Sequence, residues 1–433
     1  MFRFSVAAMA VLAAFAAWAA GHHSDGATAD KTGVFSTSPG LHLRVQTDDG
    51  NIRILTGSSS QVSYRVHLET DGDEGNAQQI LNAYVLEARN DADGVILVGR
   101  APHVRWGRHM SVTIEVTVPH NYNLDLSTDG GNIQVADVQG RVSTETAGGN
   151  ISAGQIDGPT RLVTDGGNIL AKNIGGDLTA QTGGGDITVG SVAGGAILRT
   201  GGGHIRVASI AGAGRLDTGG GNISLEHAGA GLVVSTGGGE IEVGEASGLI
   251  RARTGGGGIR VVRSTGPTEL ETGAGSVYLM QVQNAVRATT GAGGITAWFG
   301  PDAKLSSACR LAAGEGDIVV YLPKQLAITV DAQVELGGDH RVVVDPAFPL
   351  KVTYGEPDEG SQIVRAEGAL NGGGETLILR TVSGNIKLML NDAQHEKEQL
   401  DQLRQRMEEM QRQLEMNLSR LQVPQPPDPP DQP

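Results

Sequence analysis

The sequence predicts an all-β protein: a single parallel β-solenoid with 18-residue rungs, followed by a C-terminal α-helix. Three observations carry that expectation. First, a threonine recurs at 128, 146, 164, 182, 200, 218, 236, 254, 272 and 290, each step being 18 residues with no insertion. Such strict self-similarity marks a stacked repeat. Second, five residues after each threonine stands Ile or Val, from Ile133 to Ile295, and another small or apolar residue follows two further on. A spacing of two is strand alternation. Third, glycine fills the position two before each Ile or Val, from Gly131 to Gly293, and nearly fills another column seven after it. Two glycine columns per repeat mark corners where the backbone needs positive φ or has no room for a side chain. The string "TGGGHIRVASIAG", Thr200–Gly212, imitates a phosphate-binding loop, but a nucleotide site does not recur in consecutive repeats.

Short strands between corners at a fixed period stack as parallel sheets. Charges 18 residues apart then become neighbours. Arg251, Glu269 and Arg287 alternate in sign down one column, Arg199 falls over Asp217, Arg253 over Glu271, and Glu242 over Arg260. Opposite charges on adjacent strands favour that register by roughly 0.2–1 kcal/mol each. Eighteen residues divide into three sides of six, which predicts a triangular section, and the crossover preference predicts right-handed winding.

The elements follow in chain order. Residues 1–20 form an export signal: Arg3 precedes the apolar run Ser5–Ala20, and Ala17-Trp18-Ala19 is a small-x-small cleavage site. An uncleaved anchor is the alternative, although the run is shorter than the roughly 20 residues of a membrane span. Residues 21–40 are expected as a flexible linker. Residues 41–126, with "HLRVQ", "VSYRVHL" and "VTIEVTV", make an N-terminal β-rich cap containing one helical candidate, "EGNAQQILNAYVLEAR". Regular rungs occupy 127–300. The period breaks over 301–390, where irregular rungs cover the open end. The single cysteine, Cys309, lies in the apolar "KLSSACRLAA" and is expected as a buried thiol, an intermolecular disulfide being the alternative. Residues 391–422 form an amphipathic or coiled-coil helix. Leu400, Leu403, Met407, Met410, Leu414 and Leu421 fall at a and d positions, with Asn417 as the polar member. Its flanking positions (Gln399, Arg404, Arg406, Gln411 and Gln413) offer no complementary ion pairs across a dimer. The helix either makes a homo-oligomer through 393–421 or folds back as a cap on the last rungs. Residues 423–433 are a Pro-rich disordered tail.

The strings "SVTIEVTVPHNYNLDLSTDGGNIQV" (111–135), the repeated "TGGGxI" rungs, "GDIVVYLPKQLAITVDAQ" (316–333) and "LRTVSGNIKLML" (379–390) resemble the Gly-rich "putative adhesin" family of exported bacterial proteins. The resemblance covers about residues 41–390. It implies a β-helical protein at the surface or in the periplasm, in a domain family without an established biochemical activity. The unbroken rungs also resemble bactofilins, polymerising scaffolds with an 18-residue rung; those face the cytoplasm, which conflicts with the export signal.

A net charge of −15 argues against nucleic-acid binding, which needs clustered Lys and Arg. Parallel β-helices host carbohydrate-cleaving enzymes, so the column before each Ile matters: Asn132, Asn150, Asn168, Asp186, His204, Asn222, Glu240. The asparagines suit an amide ladder, whereas Asp186, His204 and Glu240 break it and are the candidate binding residues. Asp186 and Glu240 lie three rungs apart, about 14 Å at the usual strand spacing. A glycosidase pair needs roughly 5–9.5 Å. A calcium-binding roll would need Asp in nearly every copy, and only Asp186 occupies that slot. His22 and His23 are read as tail residues rather than metal ligands. The expectation is an exported, non-enzymatic solenoid without catalytic residue, metal or cofactor. It would act as a binding, adhesion or scaffold module towards an envelope or surface protein or a glycan. A carbohydrate-active lyase or hydrolase and a self-assembling scaffold are the alternatives.

Overall fold

A computed structural model describes residues 27–71, 74–102, 110–335, 340–355, 363–391 and 393–419. The signal run, His22, His23, Leu421 and the Pro-rich tail lie outside the described residues. Two long parallel sheets wind around one core. The first carries five-residue strands such as Thr160–Thr164 and Ala196–Thr200, and the second six-residue strands such as Ile151–Ile156 and Ile205–Ile210. The regular rungs pair in register with the residue 18 further on, as in Leu198↔Leu216 and Ile205↔Ile223, until the register slips by one at Val282↔Phe299. The long insertion before Cys309 lengthens one step to 23, giving Arg287↔Arg310.

The expected three sides resolve into two sheets, the second of which bends. Ile151, Ser152 and Ala153 pair with the next rung, Gly154 drops out of the ladder, and Gln155 and Ile156 resume it. Ile151, Ala153 and Ile156 are all buried, so the inward spacing changes from two to three at the bend. A strand can point three such side chains into one core only by turning there.

The recurring threonine has a definite task. Thr146 Oγ1 donates to the Gly131 carbonyl at 2.8 Å and accepts the Gly149 N–H at 3.3 Å, and the same pair of bonds repeats in the rungs through Thr272, Thr290 keeping the first of them. A buried corner would otherwise leave an N–H and a carbonyl unpaired. The glycine column is set by space. Gly131 through Gly275 have ordinary φ, and only Gly293 of that column lies in the positive region, at 143°. A Cβ on Gly203 would collide with the Gly185 carbonyl oxygen.

Both ends close with antiparallel strands, which stop the parallel stack. At the N-terminal end Ala27–Ser36 pairs antiparallel with Gln61–Thr70. This corrects the linker expected over 21–40: residues 27–36 form an edge strand, tied down by Lys31 Nζ donating to the Tyr84 carbonyl at 2.6 Å and by Arg65 donating to Asp30 at 2.8 Å. The helical candidate over 74–89 is half right. The helix is Glu74–Ala83, and Val85–Asp91 is a strand paired with Gly94–Arg100, the chain turning at buried Tyr84. At the other end Thr376–Ser383 and Ile386–Leu390 complete the last rung, against Cys309–Glu315 and Ile318–Leu322. Ile328–Val334 and Val364–Leu370 fold over it as an antiparallel pair. Cys309 is buried, its thiol accepting the Val286 N–H at 3.3 Å, and burial pushes its pKa up.

The C-terminal helix, Ala393–Ser419, neither caps the end nor stands free. It turns back after Leu390 and runs along the bent sheet. Glu396 accepts from Gln281 Nε2 at 3.3 Å near its start, and its far part packs on Ile169–Ile174, Ile187–Val192 and Ile205–Ile210. Twenty-seven residues span about 40 Å, enough to cross that many rungs. Leu414 is buried and Leu400, Leu403, Met407 and Met410 are half-buried on this flank. The stripe, expected to face either a second helix or the last rungs, packs along the flank of its own solenoid.

Candidate functional site

The polar column leads into the site. Asn150 N–H donates to Asn132 Oδ1 at 2.8 Å, and Asn168 N–H to Asn150 Oδ1 at 2.7 Å. Asp186 and His204 continue that ladder instead of breaking it. Asp186 N–H donates to Asn168 Oδ1, His204 N–H to Asp186 Oδ1, both at 2.8 Å, and Asn222 N–H to His204 Nδ1 at 2.9 Å. Burial alone would raise the Asp186 carboxyl. The His204 amide and the Arg206 guanidinium, 3.0 Å away, outweigh it and hold the group below its ordinary value. Both residues therefore serve the corner as the asparagines do.

Glu240 differs. Its N–H donates the ladder bond to Asn222 Oδ1 at 3.0 Å, but its own carboxylate reaches sideways to Arg406 Nη2 on the C-terminal helix, 3.7 Å away. The structure thus separates the three candidates: Asp186 and His204 stay in the ladder, and Glu240 joins a different cluster.

That cluster is built by the register. Glu242, Arg260 and Tyr278 each follow the first residue of their strands, so they stand side by side on the outer surface. Glu242 is only 7% exposed. Arg260 Nη1 and Arg406 Nε both lie 3.6 Å from its Oε1, and no hydrogen bond reaches that oxygen. The Arg260 guanidinium sits 5.6 Å from the centre of the Tyr278 ring, which is 42% exposed. Glu240, Glu242, Arg260, Ser276 and Tyr278 line a pocket of about 250 Å³, and Arg406 pairs with its two carboxylates from the helix. The Glu242–Arg260 neighbourhood was legible from the 18-residue offset. Arg406 was not.

Arg406 is delivered by the residue next to it. The bend column beneath the helix runs Gly190, Ala208, Glu226, Gly244 and Val262, small or apolar except at Glu226. At Gly244 an added Cβ would lie 2.6 Å from Met407 Cε, so the methionine occupies the space that glycine leaves open. The small residues of this column were the available sequence signal for a docked helix. Also under the helix, burial pushes the Glu226 carboxyl up to about 7, and the Glu415 carboxylate adds to the shift.

Among the described residues no helix packs on the opposite sheet. Arg251–Glu269 at 2.8 Å, Arg253–Glu271 at 3.0 Å and Arg199–Asp217 at 3.5 Å realise the expected charge neighbours there. Between them Ile197 and Leu249 are 42% and 39% exposed beside a broad depression of about 600 Å³. Among the described residues no group of three or more His, Cys, Asp or Glu could hold a metal ion, and no helix is long and apolar enough to cross a membrane.

Comparisons with known proteins bear on the fold. Among solved structures, a "putative cell adhesion protein" from Clostridium sporogenes aligns at 10% identity over 84% of this chain and 100% of its own, with a TM-score of 0.15. A "putative adhesin" from Bacteroides fragilis aligns at 9% identity over 83% and 97%, with a TM-score of 0.17. Another from Parabacteroides distasonis aligns at 13% identity over 69% and 98%, with a TM-score of 0.23. Scores this low carry no argument about activity. No curated protein matches the chain. Residues 41–389, from the cap to the end of the last rung, match the Toastrack DUF4097 family. The chain belongs to that family.

Proposed function

We propose that this is an exported, non-enzymatic β-solenoid that acts as a binding or adhesion module at the cell envelope. The observation that carries the reading is the difference between the two sheets. One is masked by the chain's own helix, whereas the other presents Ile197 and Leu249 among paired charges on a regular, open surface. Exposed apolar side chains gathered at a depression mark interaction surfaces more often than scattered ones do. The apolar run Ser5–Ala20 supports export.

The test is capture of envelope material by the mature chain, with purified envelope polysaccharides assayed in parallel for binding and for cleavage. Saturable binding with no shortening of the polysaccharide is expected. Turnover that disappears in Glu240→Gln or Asp186→Asn would replace this reading with a carbohydrate-active enzyme.

A further inference from the structure

We propose that the pocket lined by Glu240, Glu242, Arg260 and Tyr278, whose two carboxylates are paired with Arg406 of the docked helix, is a subsite for one neutral pyranose residue of a glycan; this rests on the binding-module reading and adds a contact point separate from the open sheet. The argument starts from charge. Two carboxylates and two guanidiniums converge, with separations of 3.6 and 3.7 Å. These are ion-pair distances that still leave room for stronger partners. A cation would meet Arg260 and Arg406, and an anion would meet Glu240 and Glu242. A zwitterion would have to part pairs that already neutralise one another. A sugar hydroxyl both donates and accepts, so adjacent hydroxyls can donate to the carboxylates and accept from the guanidiniums without changing the net charge.

Three further features fit the same ligand. The pocket, at about 250 Å³, is of single-ring size. The Tyr278 ring is exposed at its rim and offers the apolar face of a pyranose a flat surface. Glu242 is nine-tenths buried, with a side-chain exposure of 9%, and its Oε1 lacks a hydrogen bond. A buried acceptor left without a donor is costly. Ligand-induced tightening of Arg260 and Arg406 onto that oxygen would supply one.

The arrangement also makes the docked helix part of the site. Glu240, Glu242, Arg260 and Tyr278 come from the rungs, and Arg406 arrives only when Met407 seats at Gly244. Affinity for the sugar should therefore depend on a residue more than 120 positions away along the chain.

Saturation-transfer NMR on the full mature chain tests the proposal. The probes are the methyl pyranosides of glucose, galactose, mannose and N-acetylglucosamine, with glycine as the zwitterionic control. At least one pyranoside should receive saturation, and the signal should vanish in Tyr278→Ala and in Glu242→Gln. Tyr278→Phe should keep it, because the ring is retained. Arg406→Ala should weaken binding about tenfold, as the loss of one charge-assisted hydrogen bond would. Circular dichroism on each variant establishes that the solenoid is folded; Tyr278 and Arg406 are exposed enough for their variants to fold. No transfer to any of the four pyranosides overturns the proposal. So does transfer that survives both Tyr278→Ala and Glu242→Gln, or binding of glycine in place of the sugars. If the pyranosides fail while envelope capture persists, the subsite falls and the binding-module reading stands.

Discussion

Thr200 Oγ1 donates to the Gly185 carbonyl at 2.7 Å and accepts the Gly203 N–H at 3.1 Å, closing its own corner and tying it to the rung before. Valine has the same shape and neither bond. Thr200→Val should lower stability by about 1–3 kcal/mol, the cost of buried polar groups left unpaired, while Thr200→Ser should keep most of it. Urea unfolding followed by circular dichroism separates the two; equal midpoints would mean that the hydroxyl is dispensable.

Neighbouring glycines should respond differently. Gly202 has open space where a Cβ would stand, whereas at Gly203 the same atom would strike the Gly185 carbonyl oxygen. Gly202→Ala should leave the melting temperature nearly unchanged. Gly203→Ala should destabilise by about 1–3 kcal/mol, as overpacking does. Similar losses at both positions would point to backbone conformation instead of rung-to-rung space.

The Arg251–Glu269 pair, 2.8 Å apart and 41% exposed on both sides, tests the register. Arg251→Glu should be destabilising and Glu269→Arg in the same chain should restore part of the loss, with a favourable coupling that shrinks in high salt. A double-mutant cycle measures it. Zero coupling at low salt would contradict the in-register stack at that column.

Helix docking should depend on pH through Glu226. Its carboxyl is raised from 4.5 to about 7 by burial under the helix, with Glu415 adding to it. Arg404 and Glu408 on the helix, and His227, Glu245 and Arg263 on the rungs, border the same cleft. A raised folded pKa means that the docked state holds the proton more tightly than the released state. The contribution is fully present below about 4.5 and is lost as pH rises through about 7. Hydrogen exchange of the helix amides, corrected for intrinsic rates, should show greater protection at pH 5 than at pH 8. Glu226→Gln should flatten the difference. An unchanged pH dependence in that variant would assign the effect to another group.

The repeat was legible because its causes are local and periodic. The Ile columns, the corner glycines and the pairs Arg199–Asp217, Arg251–Glu269 and Arg253–Glu271 all follow from one offset of 18. The strand over Ala27–Ser36 escaped because its partner, Gln61–Thr70, lies outside the repeat and its burial is only partial. The site was half legible. Asp186 and His204 looked like interruptions because residue type, not hydrogen-bond geometry, was visible; a carboxylate or a ring nitrogen accepts the corner N–H as an amide oxygen does. Arg406 was hidden because an apolar heptad stripe does not say what it will face. Gly244 and Met407 decide that question together only in three dimensions.

The division between a flank covered by the helix and a flank open to a partner is tested most directly by surface plasmon resonance over immobilised envelope material. Three forms of the mature chain are compared: unmodified, carrying Ile197→Lys with Leu249→Lys, and ending at Asp392. Light scattering gives the mass of each. The expected result is that the lysine pair weakens binding to the immobilised material far more than shortening does, while the shortened chain, which lacks Arg406, still binds and keeps the oligomeric state of the full chain. Binding that survives both lysines but is lost with the helix, together with a fall in oligomeric mass on shortening, would contradict it and place both partner and self-association on the helix.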